Sequence, residues 1–368
     1  MGITISTPDA LRQSVEAASG GRNTVLYDAK GYPSIMVVIP KFNLADIDAS
    51  LGSGIHPAFV VNGATKSEIF IGKFQAIVHD GNALSLPAQN PATSLSFDQV
   101  LTCCTSKGPG WHLMTNAEWA AIALWCWKNG FQPRGNTNWG ASSDAAYETG
   151  RRIDGGDPGT AIGTARTLTG SGPASWYHDN THAGIADLAG NVWEWVGGLR
   201  LSAGEIQVLR DNDAADNTKD QTAGSALWRA ISKTDGALVA PSAPGTLKYD
   251  NTSAGSSGVV GSPQLDDVID HSNAPNGGDD GYTSAAFESL AADNGITPPS
   301  ILRALGLFPV ASSGLGGDVI QYRNYGERLP IRGGSWDHGA IAGIFALDLN
   351  NPRSLSDPAL SFRPAYIL

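Results

Sequence analysis

Apolar residues recur at helical spacing in two stretches that each begin with a capping box. Ser96 and Gln99 frame the start of the first helix, which the pattern ends near Gly108. Thr115 and Glu118 frame the start of the second helix, which stops at Gly130. The pattern predicts two amphipathic helices with apolar faces formed by Phe97, Val100, Leu101 and Cys104, and by Trp119, Ile122, Ala123, Cys126 and Trp127.

Short apolar runs predict β-strands around these helices. The runs "AFVVNG" and "EIFIGKFQAIV" are separated by the turn sequence Asn62-Gly63. Strands and helices in one region predict an α+β domain, which we place at residues 56–368.

Residues 1–55 show a different order of elements. A helix is predicted from Thr7-Pro8 to Gly20-Gly21, and two apolar runs around Gly31-Tyr32-Pro33 predict a hairpin. We interpret these residues as a small separate N-terminal module. It could pack on the main domain, tether it to a larger particle or mediate oligomerisation, and the sequence does not choose among these roles.

Residues 200–325 are rich in Ser, Gly, Ala, Asp and Asn, which is typical of loops. They hold 15 acidic and 8 basic residues, so most of the chain's net charge of −11 lies there. We interpret them as a long, partly ordered insertion with a solvated acidic face.

The last 37 residues, 332–368, have neither helical nor strand periodicity over their length. They begin with Arg332-Gly333-Gly334-Ser335-Trp336 and end with Phe362-Arg363-Pro364-Ala365. Between these ends, small residues alternate with chemically unrelated ones. The pattern is typical of a framed surface whose side chains serve something other than folding.

Composition limits the partners and the chemistry. A net charge of −11 disfavours nucleic acid and anionic membranes as partners. No apolar run is long enough to span a membrane, and the N-terminus lacks the pattern of a secretory signal. Cys103, Cys104 and Cys126 are a poor disulfide framework and suggest reduced, buried thiols rather than a zinc site.

Three segments in this order resemble one family. They are "GWHLMTNAEWAAIA", "GIADLAGNVWEWVGG", and "LPIRGGSW" followed by "SFRPAY". Together they resemble the formylglycine-generating-enzyme type of C-type lectin-like fold over residues 56–200 and 326–368. The resemblance implies an α+β, loop-rich fold with two amphipathic helices and a long insertion.

The family's enzymes oxidise a substrate cysteine with a cysteine pair in the segment after Arg-Gly-Gly-Ser. Residues 336–368 of this chain contain no cysteine. We therefore expect no catalytic residues and no enzyme activity. The alternative is a formylglycine-generating-enzyme-like oxidase, or sulfatase-modifying factor, with a different metal site. A purely structural phage-tail or surface module is a third hypothesis.

The terminal segment, residues 332–368, also resembles the variable region of proteins from diversity-generating retroelements, which include phage tropism determinants. In these proteins adenine-directed mutagenesis rewrites Asn codons, and the residue types here match the products of such changes. The resemblance implies a binding surface of replaceable positions, which we assign to Asp337, His338, Ile341, Ile344, Phe345, Asp348, Leu355, Asp357 and Ala359. The scaffold residues would be Trp193, Trp195, Arg332, Gly333, Gly334, Trp336, Phe362 and Arg363.

These assignments imply a protein or cell-surface ligand, and a location on a phage particle or a bacterial cell surface. No cofactor is required, and a structural calcium ion with unassigned ligands is left open. The oligomeric state is not specified. We expect Glu194 and His112 to be structural hydrogen-bonding residues, and His178 to His182 to be turn chemistry rather than a metal motif.

Overall fold

The computed structural model describes residues 9–276 and 280–368. Its helices are α1 (Ala10–Ser19), α2 (Leu44–Ile47), α3 (Phe97–Thr105), α4 (Asn116–Lys128) and α5 (Ser300–Ala304). The first strands are β1 (Asn23–Tyr27), β2 (Pro33–Pro40), β3 (Val60–Val61), β4 (Ala64–Thr65), β5 (Glu68–Gly72), β6 (Ile77–His79), β7 (Asn82–Leu84), β8 (Trp111–Leu113) and β9 (Trp193–Trp195). The remaining strands are β10 (Leu199–Ser202), β11 (Glu205–Val208), β12 (Arg229–Ile231), β13 (Leu238–Val239), β14 (Lys248–Asn251), β15 (Pro263–Asp266), β16 (Thr283–Ala286), β17 (Ala291–Ala292), β18 (Val319–Tyr322), β19 (Glu327–Arg332), β20 (Leu347–Asn351), β21 (Leu360–Phe362) and β22 (Pro364–Tyr366).

Two sheets organise the described residues. The first has the order β1-β2-β5-β22-β8, so a strand from the end of the chain lies between two from its N-terminal third. The second follows the path β16-β18-β20-β19-β10-β11-β14-β15-β17, and β9 joins it through β19. Strand β21 pairs in parallel with β9. The last 37 residues therefore contribute strands to both sheets.

Described residues of the predicted N-terminal module pack on the rest of the chain, which is one of the three roles considered for it, and its status as a separate module stays a prediction. The predicted hairpin is present, with Tyr27 opposite Pro33. Strand β2 pairs along its length with β5, and Val37 belongs to the main core. A boundary at residue 55 would cut through this sheet. The predicted helix start at Thr7-Pro8 lies outside the described residues, and α1 is capped by the side chain of Asp9.

The two capping boxes are confirmed, but only α3 is amphipathic. Both Ser96 with Gln99 and Thr115 with Glu118 exchange the expected hydrogen bonds. Helix α4 is buried on almost every side, and only its last turn approaches solvent. The reason is that residues after α5 cover its outer face, where Asn116 Nδ2 donates to the Leu305 carbonyl at 2.9 Å.

Residues 200–325 are more ordered than their composition suggests. Strands β10 to β18 lie there, and Tyr249, Leu265 and Phe287 join the same core as α4. Strand β18 pairs in parallel with β20 of the terminal segment. Their status as an insertion stays a prediction. Through β18 these residues pack against the C-terminal segment, residues 332–368.

Candidate functional site

A tight turn leads into β9 and holds the start of the C-terminal segment. Gly190 and Asn191 have φ values of 68° and 65°, a conformation that Gly and Asn tolerate best. The Asn191 side chain is buried, with its Oδ1 accepting from the Thr167 N–H at 2.6 Å. Its carbonyl accepts from the Trp336 N–H at 3.1 Å. The turn therefore fixes the backbone where the C-terminal segment begins.

A buried ion pair joins β9 to the end of the chain. Arg363 Nε donates to Glu194 Oε2 at 2.7 Å, and Nη2 donates to Oε1 at 2.5 Å. Both side chains are at most 1% exposed. Arg363 also donates to the carbonyls of Gly72 and Ala186. The fork geometry makes Glu194 a structural acceptor that anchors the closing strand.

Arg332 anchors the other end of the segment. Its Nη2 donates to Asn116 Oδ1 at 2.6 Å and to the Gly306 carbonyl at 3.0 Å. Complete burial lowers the pKa of Arg332 to about 9. Gly334 follows with φ 88°, and a Cβ there would lie 2.3 Å from the Ala342 Cβ. The chain can fold back at this point only because that residue is glycine.

Ser335 organises the next three residues. Its hydroxyl lies 2.6 Å from Asp337 Oδ1 and 2.6 Å from His338 Nδ1. The hydrogen bonds with His338 and Ser335 lower the pKa of Asp337 to about 2. In a serine-hydrolase triad the carboxylate and the serine engage opposite ring nitrogens, whereas here both face Nδ1. The cluster therefore positions Asp337 and His338, and Ser335 was not foreseen as a member.

Three predicted surface positions are buried, so this part of the assignment is corrected. Ile344, Phe345 and Asp348 are 1%, 3% and 8% exposed. Phe345 stacks on Phe287 with ring centroids 6.2 Å apart, and the Ile344 carbonyl accepts from Trp119 Nε1 at 2.7 Å. The physical reason is that this stretch enters β20, which pairs with β18 on one side and β19 on the other.

Asp348 differs from the two apolar residues because it lies beneath the surface and not in the apolar core. Burial raises its pKa to about 6, and the hydrogen bond from the Asn350 N–H opposes that rise. Its Oδ1 accepts from the Asn350 N–H at 2.7 Å. The Asp348 carboxyl is therefore held by the backbone of its own strand and is not displayed to solvent.

The other six predicted positions keep contact with solvent. Ile341 is 40% exposed and ends a short 3₁₀ turn, Gly339–Ile341. They occupy two stretches of the segment, one formed by Asp337, His338 and Ile341 and the other by Leu355, Asp357 and Ala359.

Trp193 is the floor shared by these two stretches. The His338 ring meets the Trp193 ring edge-on, with centroids 5.2 Å apart. The Trp193 N–H donates to the Ala359 carbonyl at 2.8 Å. Leu355 packs on the apolar cluster that contains Trp193 and Trp195. Two stretches separated in sequence by β20 are thus brought to one place.

Residues outside the C-terminal segment also border this place. The Gly339 N–H donates to the Thr137 carbonyl at 2.9 Å, and Arg166 Nη1 donates to the Pro358 carbonyl at 2.9 Å. In the sequence between Thr137 and Arg166, Tyr147 is 84% exposed and Ile162 is 72% exposed. Sequence reasoning missed this border because nothing in the local pattern of residues 137–166 signals a contact with the C-terminus.

Several buried polar atoms of the segment lack a protein partner among the described residues. They include Trp336 Nε1, Asn350 Oδ1 and Ser361 Oγ. Buried polar groups are normally hydrogen-bonded, so these atoms are exceptions in the packing of the segment. Trp336 packs near Ala359 and Trp139, at the edge of the two exposed stretches.

The three thiols and the loop of residues 178–182 lie outside the C-terminal segment. Burial raises the thiol pKa values of Cys103, Cys104 and Cys126, which are free. The Asp179 carboxylate accepts from the Thr181 N–H at 3.0 Å, which is turn chemistry. His112 Nε2 lies 2.9 Å from Glu118 Oε1 in the buried core.

Comparison with known proteins assigns the chain to a family. The sequence profile of the Sulfatase-modifying factor enzyme 1-like domain matches residues 18–224, more than half of the chain. The chain belongs to this family. The chain contains helices and two large sheets. Together with the family assignment, they confirm the predicted α+β, C-type lectin-like fold of the formylglycine-generating-enzyme type.

The Sulfatase-modifying factor enzyme 1-like match includes Trp193, Glu194 and Trp195, whereas the C-terminal segment lies beyond it. Two solved structures are similar in shape at 13% identity. Treponema denticola variable protein 1 has a TM-score of 0.32 over 94% of this chain and 99% of that one. PvdO from Pseudomonas aeruginosa has a TM-score of 0.33 over 94% and 98%. No curated protein matches the sequence.

Two further observations concern membranes and metals. None of the helices in the described part of this Sulfatase-modifying factor enzyme 1-like chain has the length and apolar character needed to cross a bilayer. Within residues 9–276 and 280–368, no three His, Cys, Asp or Glu side chains come together as a metal site would require.

Proposed function

We propose that the chain binds a protein or cell-surface ligand through a diversified surface on its C-type lectin-like scaffold, and that it is not an enzyme. This recognition surface consists of Asp337, His338, Ile341, Leu355, Asp357 and Ala359. The observation that supports it most is their arrangement around Trp193, which brings two exposed stretches onto one buried floor.

The scaffold favours binding because it holds these residues before a ligand arrives. Ser335 fixes Asp337 and His338, and the Asp357 carboxylate accepts from the Ala359 N–H at 2.7 Å. A surface that is already ordered loses less conformational entropy when it binds. Replacement of an exposed side chain also leaves the buried anchors, Arg332 and Arg363, unchanged.

The recognition surface combines one exposed apolar residue with polar side chains that can distinguish between ligands. Ile341 is its large exposed apolar residue, and such residues contribute most when a partner covers them. The Asp337 carboxylate, with its pKa of about 2, stays charged at neutral pH. His338 lies beside Asp337 and can also form hydrogen bonds. The surface should therefore favour a ligand that has a polar group next to an apolar one.

The absence of cysteine from residues 336–368 supports binding over oxidation. The family's oxidase chemistry uses a cysteine pair in that segment, and the thiols of this chain lie in or near α3 and α4. Buried thiols with raised pKa values are poor nucleophiles and poor metal ligands. The proposal places the protein on a phage particle or bacterial surface and requires no cofactor.

Sequencing the encoding locus tests the proposal. We expect a near-copy of the bases for the C-terminal segment beside a reverse-transcriptase gene, with differences at adenines in the codons of the recognition surface. The codons of buried Ile344 and Phe345 are the matched control and should be identical in both copies. Absence of the near-copy, or differences spread equally over surface and buried codons, would contradict diversification.

A turnover assay tests the non-enzymatic part separately. Purified protein loaded with copper should leave a cysteine-containing peptide unoxidised over hours. Conversion of the cysteine to formylglycine would instead establish the oxidase alternative.

A further inference from the structure

A cavity of about 470 Å³ lies between the end of β2 and α4, and no residue of the C-terminal segment lines it. It opens between the end of β2 and the exposed turn of α4. Its walls are mainly apolar and include Val37, Ile39, Phe42, Ile122 and Trp125. Pockets of about 300 to 1,000 Å³ with apolar walls are the usual size for small-molecule sites. This cavity is distinct from the recognition surface.

One buried polar side chain in the wall lacks a partner on one of its two ring nitrogens. His178 is 6% exposed and lines the cavity. Its Nδ1 accepts from the Ile185 N–H at 2.8 Å, which leaves the proton on Nε2. No described residue hydrogen-bonds to that Nε2, and burial lowers the His178 pKa to about 4. At neutral pH the ring therefore offers one unengaged N–H donor in an apolar wall.

The rim of the cavity is positively charged. Arg22 and Lys41 both line it, with Asp179 as the acidic residue. Arg22 Nη1 is bound to Asp179 at 2.8 Å, but no described residue accepts a hydrogen bond from Arg22 Nη2 or from Lys41 Nζ. Two cationic groups with unengaged donors favour an anion at the rim.

We propose that this cavity binds a small amphipathic carboxylate. The apolar body lies between Ile39, Phe42 and Trp125, and the carboxylate lies between Arg22 and Lys41. The His178 Nε2–H donates to one oxygen of that carboxylate. The shape supplies the apolar contact, and the charges set the preference for an acid over a neutral compound of the same size.

Calorimetric titration with 2-naphthoate at pH 7.5 tests the proposal. We expect a dissociation constant of about 10 µM to 1 mM, the range for small ligands that fit well. The neutral analogue 2-naphthalenemethanol should bind at least about fivefold more weakly. Arg22→Gln with Lys41→Gln should remove this preference, whereas Lys128→Gln, an exposed lysine outside the cavity lining, should not.

A second variant tests the location. Ile39→Trp fills the cavity from a half-buried position and should weaken 2-naphthoate binding at least about tenfold, with an unchanged melting temperature. In nitrogen-15 spectra of the imidazole rings, the His178 Nε2 signal should shift most on titration.

The proposal fails on any of four results. These are no heat and no His178 shift at millimolar 2-naphthoate, unchanged binding in Ile39→Trp, and equal binding of the acid and the alcohol. The fourth is self-association of the protein that Ile39→Trp abolishes, because the cavity would then be a subunit contact.

Discussion

Two residues of the C-terminal segment, four positions apart, should lose very different amounts of stability on truncation. Phe345 is 3% exposed and stacks on Phe287, so Phe345→Ala should cost about 3–5 kcal/mol as a buried aromatic is lost. Ile341 is 40% exposed, and Ile341→Ala should cost at most about 1 kcal/mol. An unfolding entropy of about 2.1 cal/mol/K per residue gives roughly 0.8 kcal/mol/K for this chain. The melting temperature should therefore fall by about 4–6 °C for Phe345→Ala and by about 1 °C for Ile341→Ala.

Differential scanning calorimetry on the two variants and the parent protein measures this difference. Ligand binding supplies the complementary measurement, because Ile341→Ala should weaken it and Phe345→Ala should act only through folding. Equal shifts in melting temperature would refute the division of the segment into buried and displayed residues. A larger shift for Ile341→Ala would reverse it.

Two further predictions concern buried charges. Arg363→Met should lower the free energy of unfolding by about 3–5 kcal/mol, because it leaves the Glu194 charge buried without its partner. Adding Glu194→Gln should restore part of that loss, as measured by urea unfolding. A double variant no more stable than Arg363→Met would contradict this reasoning. Burial raises the pKa of Asp318 to about 8, so the folded protein keeps a proton that the unfolded chain loses near pH 4. The free energy of unfolding should therefore fall as the pH rises from about 4 to about 8. Asp318→Asn should reduce that fall when urea midpoints are compared at pH 5 and pH 8, and an unchanged difference would show that other groups cause it.

Local signals predicted the elements that depend on local interactions. The capping boxes before α3 and α4 are such signals, because a helix start is decided within four residues. The hairpin of β1 and β2 and the turn at Asn62-Gly63 follow the same rule. The fold prediction rested on the Trp-Glu-Trp strand and the terminal Arg-Gly-Gly-Ser-Trp sequence, which occur together in the resembled family.

The errors came from contacts between distant parts of the chain. Residue types that match codon changes treat Ile341 and Ile344 alike, yet Ile341 is 40% exposed and Ile344 is 1% exposed. The Ile344 carbonyl accepts from Trp119 of α4, which is distant in sequence. Strand β18 comes from a region whose composition is typical of loops, so its pairing with β20 had no local signal. The pairing of β2 with β5, which joins the N-terminal residues to the rest of the chain, had no local signal either.

The position of β22 between β5 and β8 has a consequence for variation in the segment that precedes it. Ala365 pairs with Ile71 on one side and with His112 on the other, so the first sheet is complete only when residues 364–366 are present. A frameshift or a stop codon anywhere from Asp337 to Ala359 would remove β22 and Arg363 together. Such a chain would expose the edges of β5 and β8 and leave Glu194 without its counter-charge, and proteases remove products of this kind. Under the proposed diversification, only in-frame variants would retain the strand that completes the first sheet.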